Sequence, residues 1–468
     1  MTNTIKRVQL ALAGACATLA IACGGDDEPC DPAASTGCDD GQVCEVVQDG
    51  TPACFEPVRI RGRAFDLTDD GAVEGARLVA IDANGAPAGS VAVSSADGSY
   101  AIRVPAVRNA DGMPLALPTV TLRADAAGYD PFPGAVRPAL PIDVSTAVAE
   151  DGGWVVRSAL TDVGLLPLAS APTGSIHGAA AIGDDHAPVM IVVESDALGR
   201  VKGKSAIADR DGDYRVFNLP PGSYTVAGYA AGHSYVAKTV TLAAGQDLAV
   251  ELALDSAPTS ALSGQVQLVN PQSGTATSVI LVVESTFDDA LLRGDSPAGL
   301  RAPGPGVAPD VTGAFRIEGV PAGHYVVLAG FENDNLVRDT SDIGGTDVVH
   351  QAIAAGQDVT IGESFKVTGA VDLVGPGADA PEVVTGTPTF RWVDDTSEDF
   401  YRVTVFDAYG GQVWQHDEPS GAHDPSTVYA GPALTPGMTY QFRVQSIKAP
   451  AELLSYSEEL RGVFTIAR

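Results

Sequence analysis

The chain has 468 residues, 45% of them apolar, with 52 glycines and 32 prolines; this excludes a single core and a globally disordered chain. Its 28 basic residues stand against 59 acidic ones, a formal charge of −31. That balance excludes nucleic acid and anionic membrane surfaces as partners, because a phosphate layer needs a Lys/Arg footprint; the acidity keeps an exported protein soluble or, in a sharper reading, recruits divalent cations.

Lys6 and Arg7 precede a run of small and apolar residues from Val8 to Ala22. A basic start and a short apolar run make an export signal and fall short of a membrane-spanning helix. The run ends LAIAC and turns polar in GGDDEP. A small residue before Cys23 at this boundary resembles the lipobox of bacterial lipoproteins, with Ala20 where that family usually carries Leu. The resemblance implies a signal peptide over 1–22, lipidation of Cys23, and a membrane partner held through the N-terminal lipid. Gly24 rather than Asp after the cysteine implies the outer membrane, at its surface or periplasmic face. More than one acyl chain suffices for stable anchoring.

Residues 23–57 form a Cys-rich linker with Cys30, Cys38, Cys44 and Cys54, and no cysteine follows. An even number in an exported segment implies two disulfides, for which three pairings are open. The spacings lack the C-x-x-C knuckle of a zinc site. Too short to bury a core, the segment reads as a stapled spacer between lipid and body, with a small recognition knob as the alternative.

Beyond it the sequence repeats itself. IVVES at 191–195 returns as LVVES at 281–285, and AAGQD at 243–247 returns at 354–358. Between these markers DGDYRVFNLPPGSYTV (211–226) matches TGAFRIEGVPAGHYVV (312–327), and DGSYAIRVP (97–105) is a looser copy. Asp-Gly signals a hairpin turn, after which Tyr100, Ile102 and Val104, Tyr214 and Val216, and Phe315 and Ile317 alternate onto one face. Pro-x-Gly turns the chain into a strand opening with Tyr224 or Tyr325. Glu194 and Glu284, at equivalent strand ends of two repeats, are framework positions on this reading.

The shared pattern resembles the carboxypeptidase regulatory-like domain, which implies small transthyretin-like sandwiches of about seven strands over 58–168, 172–256 and 259–368. The first copy departs, since no Pro-x-Gly-x-Tyr follows Val104-Pro105. Residues 379–468 differ: TPTFRWVD, YRVTVFDAYGGQVW and LTPGMTYQFRVQSI resemble a fibronectin type III domain. That implies a core role for Trp392 and a strand-corner role for the Tyr440 hydroxyl. The expected fold class is all-β: tandem seven-stranded sandwiches after a signal peptide and a disulfide-stapled segment. Four domains in series place the last one far from the membrane.

No catalytic residue is nominated. None of the seven histidines has Glu three residues later, and H-E-x-x-H, G-x-S-x-G and P-loop patterns are missing from the sequence. DRDGDY puts Asp209, Asp211 and Asp213 at alternate positions, weak candidates for a metal. Its glycine falls at loop position four and Pro220 stands where a bidentate Glu is needed, so a turn is the better reading. No metal or cofactor is expected. RGDSP at 293–297 lies in a Gly/Pro/Ala-rich insertion expected to loop into solvent. The functional expectation is a non-catalytic, membrane-anchored envelope or cell-surface scaffold contacting protein or polysaccharide. The alternatives are a carbohydrate-binding accessory and a calcium-dependent adhesin.

Overall fold

The computed structural model describes residues 30, 37–39, 41–115, 119–134, 137–150, 152–169, 173–304, 307–330, 333–339, 348–395 and 398–468. Cys23 and residues 1–22, read above as an export signal, lie outside these. The described residues are strands and turns with four short 3-10 turns, and they contain no α-helix. The fold class is all-β, built from paired sheets.

In the first unit, Val58–Asp66 is the hub of a five-stranded sheet, antiparallel to Ser99–Val104 and parallel to Gly153–Val156 and Val163–Leu165. It faces a three-stranded sheet centred on Arg77–Ile81. Alternation puts Ile60, Tyr100 and Ile102 from one sheet against Leu78, Ala80 and Leu122 from the other. The second unit pairs Gly174–Ala179 with Asp213–Leu219 and Asp247–Ala249. Its facing sheet runs Gly203–Ile207, Met190–Glu194, Gly222–Tyr229, Lys238–Leu242. The third unit repeats this plan with Ser260–Val269 and Val279–Val283 as central strands, and the C-terminal unit packs a three-stranded sheet on a six-stranded one. The second unit has the expected seven sandwich strands, the first and third have eight and the C-terminal unit nine.

The repeated turns differ from the hairpins expected. Gly203–Ile207 and Asp213–Leu219 flank Asp211-Gly212 but belong to opposite sheets, and so do Asp213–Leu219 and Gly222–Tyr229 around Pro-x-Gly. Each turn is an arch across the sandwich. It lets Tyr214 and Tyr224 enter one core from two sides. The Tyr224 hydroxyl donates to the Pro220 carbonyl at 2.5 Å and Tyr325 to Pro321 at 2.9 Å. The Pro-x-Gly-x-Tyr spacing is thereby explained: the tyrosine closes the arch it follows. In the C-terminal unit Trp392 is buried edge-on to Tyr401, and the Tyr440 hydroxyl accepts the Thr435 N–H at 2.8 Å.

The Cys-rich segment is no free spacer. Cys30 pairs with Cys44 and Cys38 with Cys54, across a two-stranded ladder of Val43–Glu45 and Ala53–Phe55. Glu45 is fully buried, accepting from Arg108 Nε at 2.5 Å and from the Ala106 N–H at 2.8 Å, with the Arg108 side chain 1% exposed. Arg108 Nη2 reaches the Glu56 carbonyl at 2.8 Å, and its backbone pairs with Val46 and Gln48. The segment is docked onto the first unit by a desolvated ion pair whose remaining hydrogen-bonding groups find partners.

The units do not run in series. Arg137 Nη2 of the first unit donates to the Tyr409 carbonyl of the C-terminal unit at 2.7 Å, and Phe65 meets Tyr409 edge-on at 5.3 Å. Gly410, at φ +75°, presses so close that a Cβ would lie 2.4 Å from the Pro138 carbonyl oxygen. The last unit is therefore folded back onto the first, contrary to the extended arrangement expected.

Replacing Arg108 by Met strands a buried carboxylate and is expected to cost about 3–5 kcal/mol. Combining it with Glu45→Leu restores most of that loss. Denaturant unfolding, with amide exchange of Val43–Glu45 as the local readout, checks both; equal losses in the single and double variants would refute the ion pair as the anchor.

Candidate functional site

The strand Thr121–Asp125 buries Leu122 and Ala124 and turns Arg123 to its outer face. There the guanidinium donates to Ser205 Oγ (2.8 Å), the Ser205 carbonyl (2.8 Å), Asp295 Oδ1 (3.1 Å) and Asp125 Oδ2 (2.9 Å). Ser205 Oγ also donates to Asp295 Oδ2 at 2.8 Å. One arginine thus joins the first, second and third units.

Asp295 is the acid of RGDSP. Its N–H donates to Thr286 Oγ1 at 3.0 Å, and its carbonyl accepts the Val283 N–H at 3.1 Å. Ser296 and Leu300 are buried, and a Cβ on Gly294 would lie 2.5 Å from Val282 Cγ1. RGDSP is packed on its own sheet instead of looping into solvent, and its acid completes the three-unit seam.

The two VVES motifs meet each other. Glu194 ends Met190–Glu194, and its carboxylate accepts from Ser285 Oγ at 2.8 Å. Glu284 opens the short turn Glu284–Thr286. The strand ends are not equivalent in register. Val193 pairs with Val226, whereas Val283 pairs with Tyr325, the counterpart of Tyr224, a slip of two residues. Glu284 consequently meets different neighbours: His350 Nδ1 at 2.7 Å and His324 Nδ1 at 3.5 Å. Asp289 lies 3.8 Å from His350 Nε2. His177, His233, His416 and His423 each face one carboxylate, from Asp247, Asp185, Glu418 and Asp424 respectively. Among the described residues, Glu284 alone draws two imidazoles. The sequence reading missed this group. Its signal was His324 in GHYVV where the other repeat has GSYTV, and His350 four residues before the repeated AAGQD.

The three nominated aspartates do not converge on a cation. Asp209 Oδ1 accepts the N–H groups of Asp211 (3.1 Å) and Asp213 (2.9 Å), closing the turn on itself. An open groove of about 470 Å³ lies beside it, lined by Ile182, His186, Arg210, Asp211, Lys238 and Glu251 among others. Three of the cysteines, Cys30, Cys38 and Cys54, also lie close enough together for a metal, but their sulfurs are taken up in disulfides.

No family model matches this chain, and no curated protein matches it either. Among solved structures, a minor pilin of Streptococcus agalactiae overlaps 44% of this chain and 99% of its own, at 14% identity and a TM-score of 0.20. A DUF3823 family protein from Bacteroides uniformis overlaps 45% and 100%, at 15% identity and a TM-score of 0.20. A streptococcal ancillary pilin overlaps 66% and 99%, at 11% identity and a TM-score of 0.16. With TM-scores of 0.20 or below, none of these three overlaps extends to the arrangement of the whole chain.

Two outcomes follow from this geometry. Arg123→Leu is expected to lower stability by about 2–3 kcal/mol and to speed tryptic cleavage after Arg293; unchanged cleavage would separate the string from the seam. Asp209→Ala is expected to lose about 1 kcal/mol of turn stability whether or not calcium is present. A calcium-induced rise in melting temperature that this variant abolishes would restore the cation reading.

Proposed function

We propose that the protein is a non-catalytic scaffold of the bacterial outer envelope, held by a lipid on Cys23 and presenting its sandwiches as one joined body. One observation carries the reading: side chains of the RGDSP string and of the repeated VVES motifs are used to join units. Arg123, Ser205 and Asp295 tie three of them, and Glu194 binds Ser285 across the second and third. Docking of the Cys-rich segment onto the first unit supports a body seated close to its anchor.

Partner contact on this reading is with protein. Lys238–Leu242 is the outermost strand of its sheet, with Lys238, Thr239 and Thr241 exposed, and an open strand edge accepts an added strand. Among the described residues the exposed large apolar side chains are valines, leucines and one methionine, and every aromatic ring is at least partly buried.

Protease shaving of intact cells, read by mass spectrometry, tests the reading. The expected result is release of body peptides together with an N-terminal peptide carrying acylated Cys23. Protection of the body would move the scaffold to the periplasmic face, and an unacylated N-terminus would overturn the anchored reading.

A further inference from the structure

Three adjacent strands of the third unit bring Glu284, His324 and His350 together on one outer face. The Val279–Val283 ladder ends at Val283↔Tyr325, so the next residue on each side, Glu284 and His324, are neighbours. On the other side His324 pairs with Ala352 and Val326 with His350, which makes the two histidines diagonal neighbours on one face. Tyr325 and Val327 point into the main core, which leaves His324 and Val326 for the opposite side.

That side has an apolar floor. Ile280, Val282, Phe287, Val326 and Leu328 form a separate buried cluster, and Phe287 stands edge-on to the His350 ring at 6.1 Å. Glu284 lies between the imidazoles, with separate oxygens 2.7 Å from His350 Nδ1 and 3.5 Å from His324 Nδ1. In a tetrahedral site with bonds of about 2.0–2.2 Å, neighbouring donor atoms stand about 3.3 Å apart. The two observed separations run to different oxygens of the one carboxylate, and the three donors as they stand are too far apart to share one ion. The edge between the imidazoles closes by rotation of His324, whose side chain is 74% exposed. Asp289, 3.8 Å from His350 Nε2, faces the nitrogen that would not ligate, on the side from which a carboxylate accepts the N–H of a metal-binding histidine and orients its ring.

From this placement we infer that Glu284, His324 and His350 form a binding site for a divalent transition-metal ion of the zinc class. It has three protein donors and a fourth position open to water. Two imidazoles with one carboxylate suit zinc, nickel or copper, and not calcium or magnesium, which take oxygen ligands. The second unit supplies an internal control. In the same ladder it carries Ser223 at the place of His324 and Thr239 at the place of His350, and its glutamate is turned to Ser285. The inference is independent of the scaffold reading, since it requires no partner and no anchor.

The test is calorimetric titration of zinc chloride into the chelator-treated full chain, paralleled by cobalt(II) absorption spectra. Cobalt distinguishes nitrogen and oxygen ligation from binding at Cys16 or Cys23 by the missing thiolate charge-transfer band. One ion per chain is expected, undisturbed by excess calcium. His324→Ser with His350→Thr, the residues the second unit tolerates at these places, is expected to abolish it. Asp289→Asn is expected to weaken it about 10–100-fold. Zinc is expected to raise the melting temperature of the native chain and not that of the double variant. Absent binding, binding that survives the double variant, or a thiolate spectrum overturns the assignment. Should the double variant fail to fold, the isosteric Glu284→Gln decides: a loss of at least about tenfold supports the site, and an unchanged affinity overturns it.

Discussion

The guanidinium of Arg123 is the contact on which the arrangement of the sandwiches most depends. It meets Ser205 of the second unit and Asp295 of the third while anchored to Asp125 of its own strand. A guanidinium suits this position because its planar fork serves several acceptors in fixed directions, which an ammonium on a flexible stem does not. The setting raises the stakes. In a chain of net charge −31, the Asp125 and Asp295 carboxylates brought together without a cation would repel one another through a partly desolvated seam.

The other seams follow the same rule. Arg301 of the third unit pairs with Asp82 of the first at 3.1 Å, where burial pushes the Asp82 carboxyl up against the pull of the arginine. Arg137 reaches the C-terminal unit, and Arg108 holds the Cys-rich segment. Asn218 adds a neutral version, donating to the Ala126 and Tyr129 carbonyls and accepting the Gly128 N–H, all at 2.8 Å. Several of the scarce basic residues thus sit where units meet. Apolar contact completes the joint. Met190, Val192 and Tyr229 of the second unit and Val79 of the first share one core with the third, and Tyr229 meets Tyr325 edge-on at 6.0 Å. Charge-assisted bonds of about 1.5–3 kcal/mol each and this shared core act together, which explains why short Pro- and Ser-bearing connections do not yield separate beads.

Much of the fold was legible because strand alternation reports which face a residue takes. Tyr100, Ile102, Tyr214, Val216, Phe315 and Ile317 are all buried as their spacing requires. The partner sheet was not legible, because Asp-Gly and Pro-x-Gly shape a local turn in the same way whether the chain doubles back or crosses the sandwich. The disulfide pairing depended on a strand ladder, Cys44 opposite Cys54, that places the cysteines in space without linking those two to each other. RGDSP misled for a related reason. Its composition is that of a surface loop, but Asp295 is held by Arg123, 172 residues away, and no local pattern records so distant a partner.

The histidine pair shows how a duplicated sandwich changes chemistry without changing fold. A slip of one residue between central strands would have turned every core side chain to solvent. A slip of two leaves the faces intact, and the buried runs Met190–Val193 and Val279–Val283 both remain in place. What changes is the company of the acid at the strand end. In the second unit Glu194 lies opposite Thr225 and is engaged by Ser285; in the third, Glu284 lies beside His324 and within reach of His350. His324 and His350 are exposed at the rim of the sheet's outer face, so imidazoles replace hydroxyls there at little cost to the core. Equal sequence motifs therefore mark equal folding roles, and the even-numbered slip between them separates a carboxylate that joins two units from one that gathers two imidazoles.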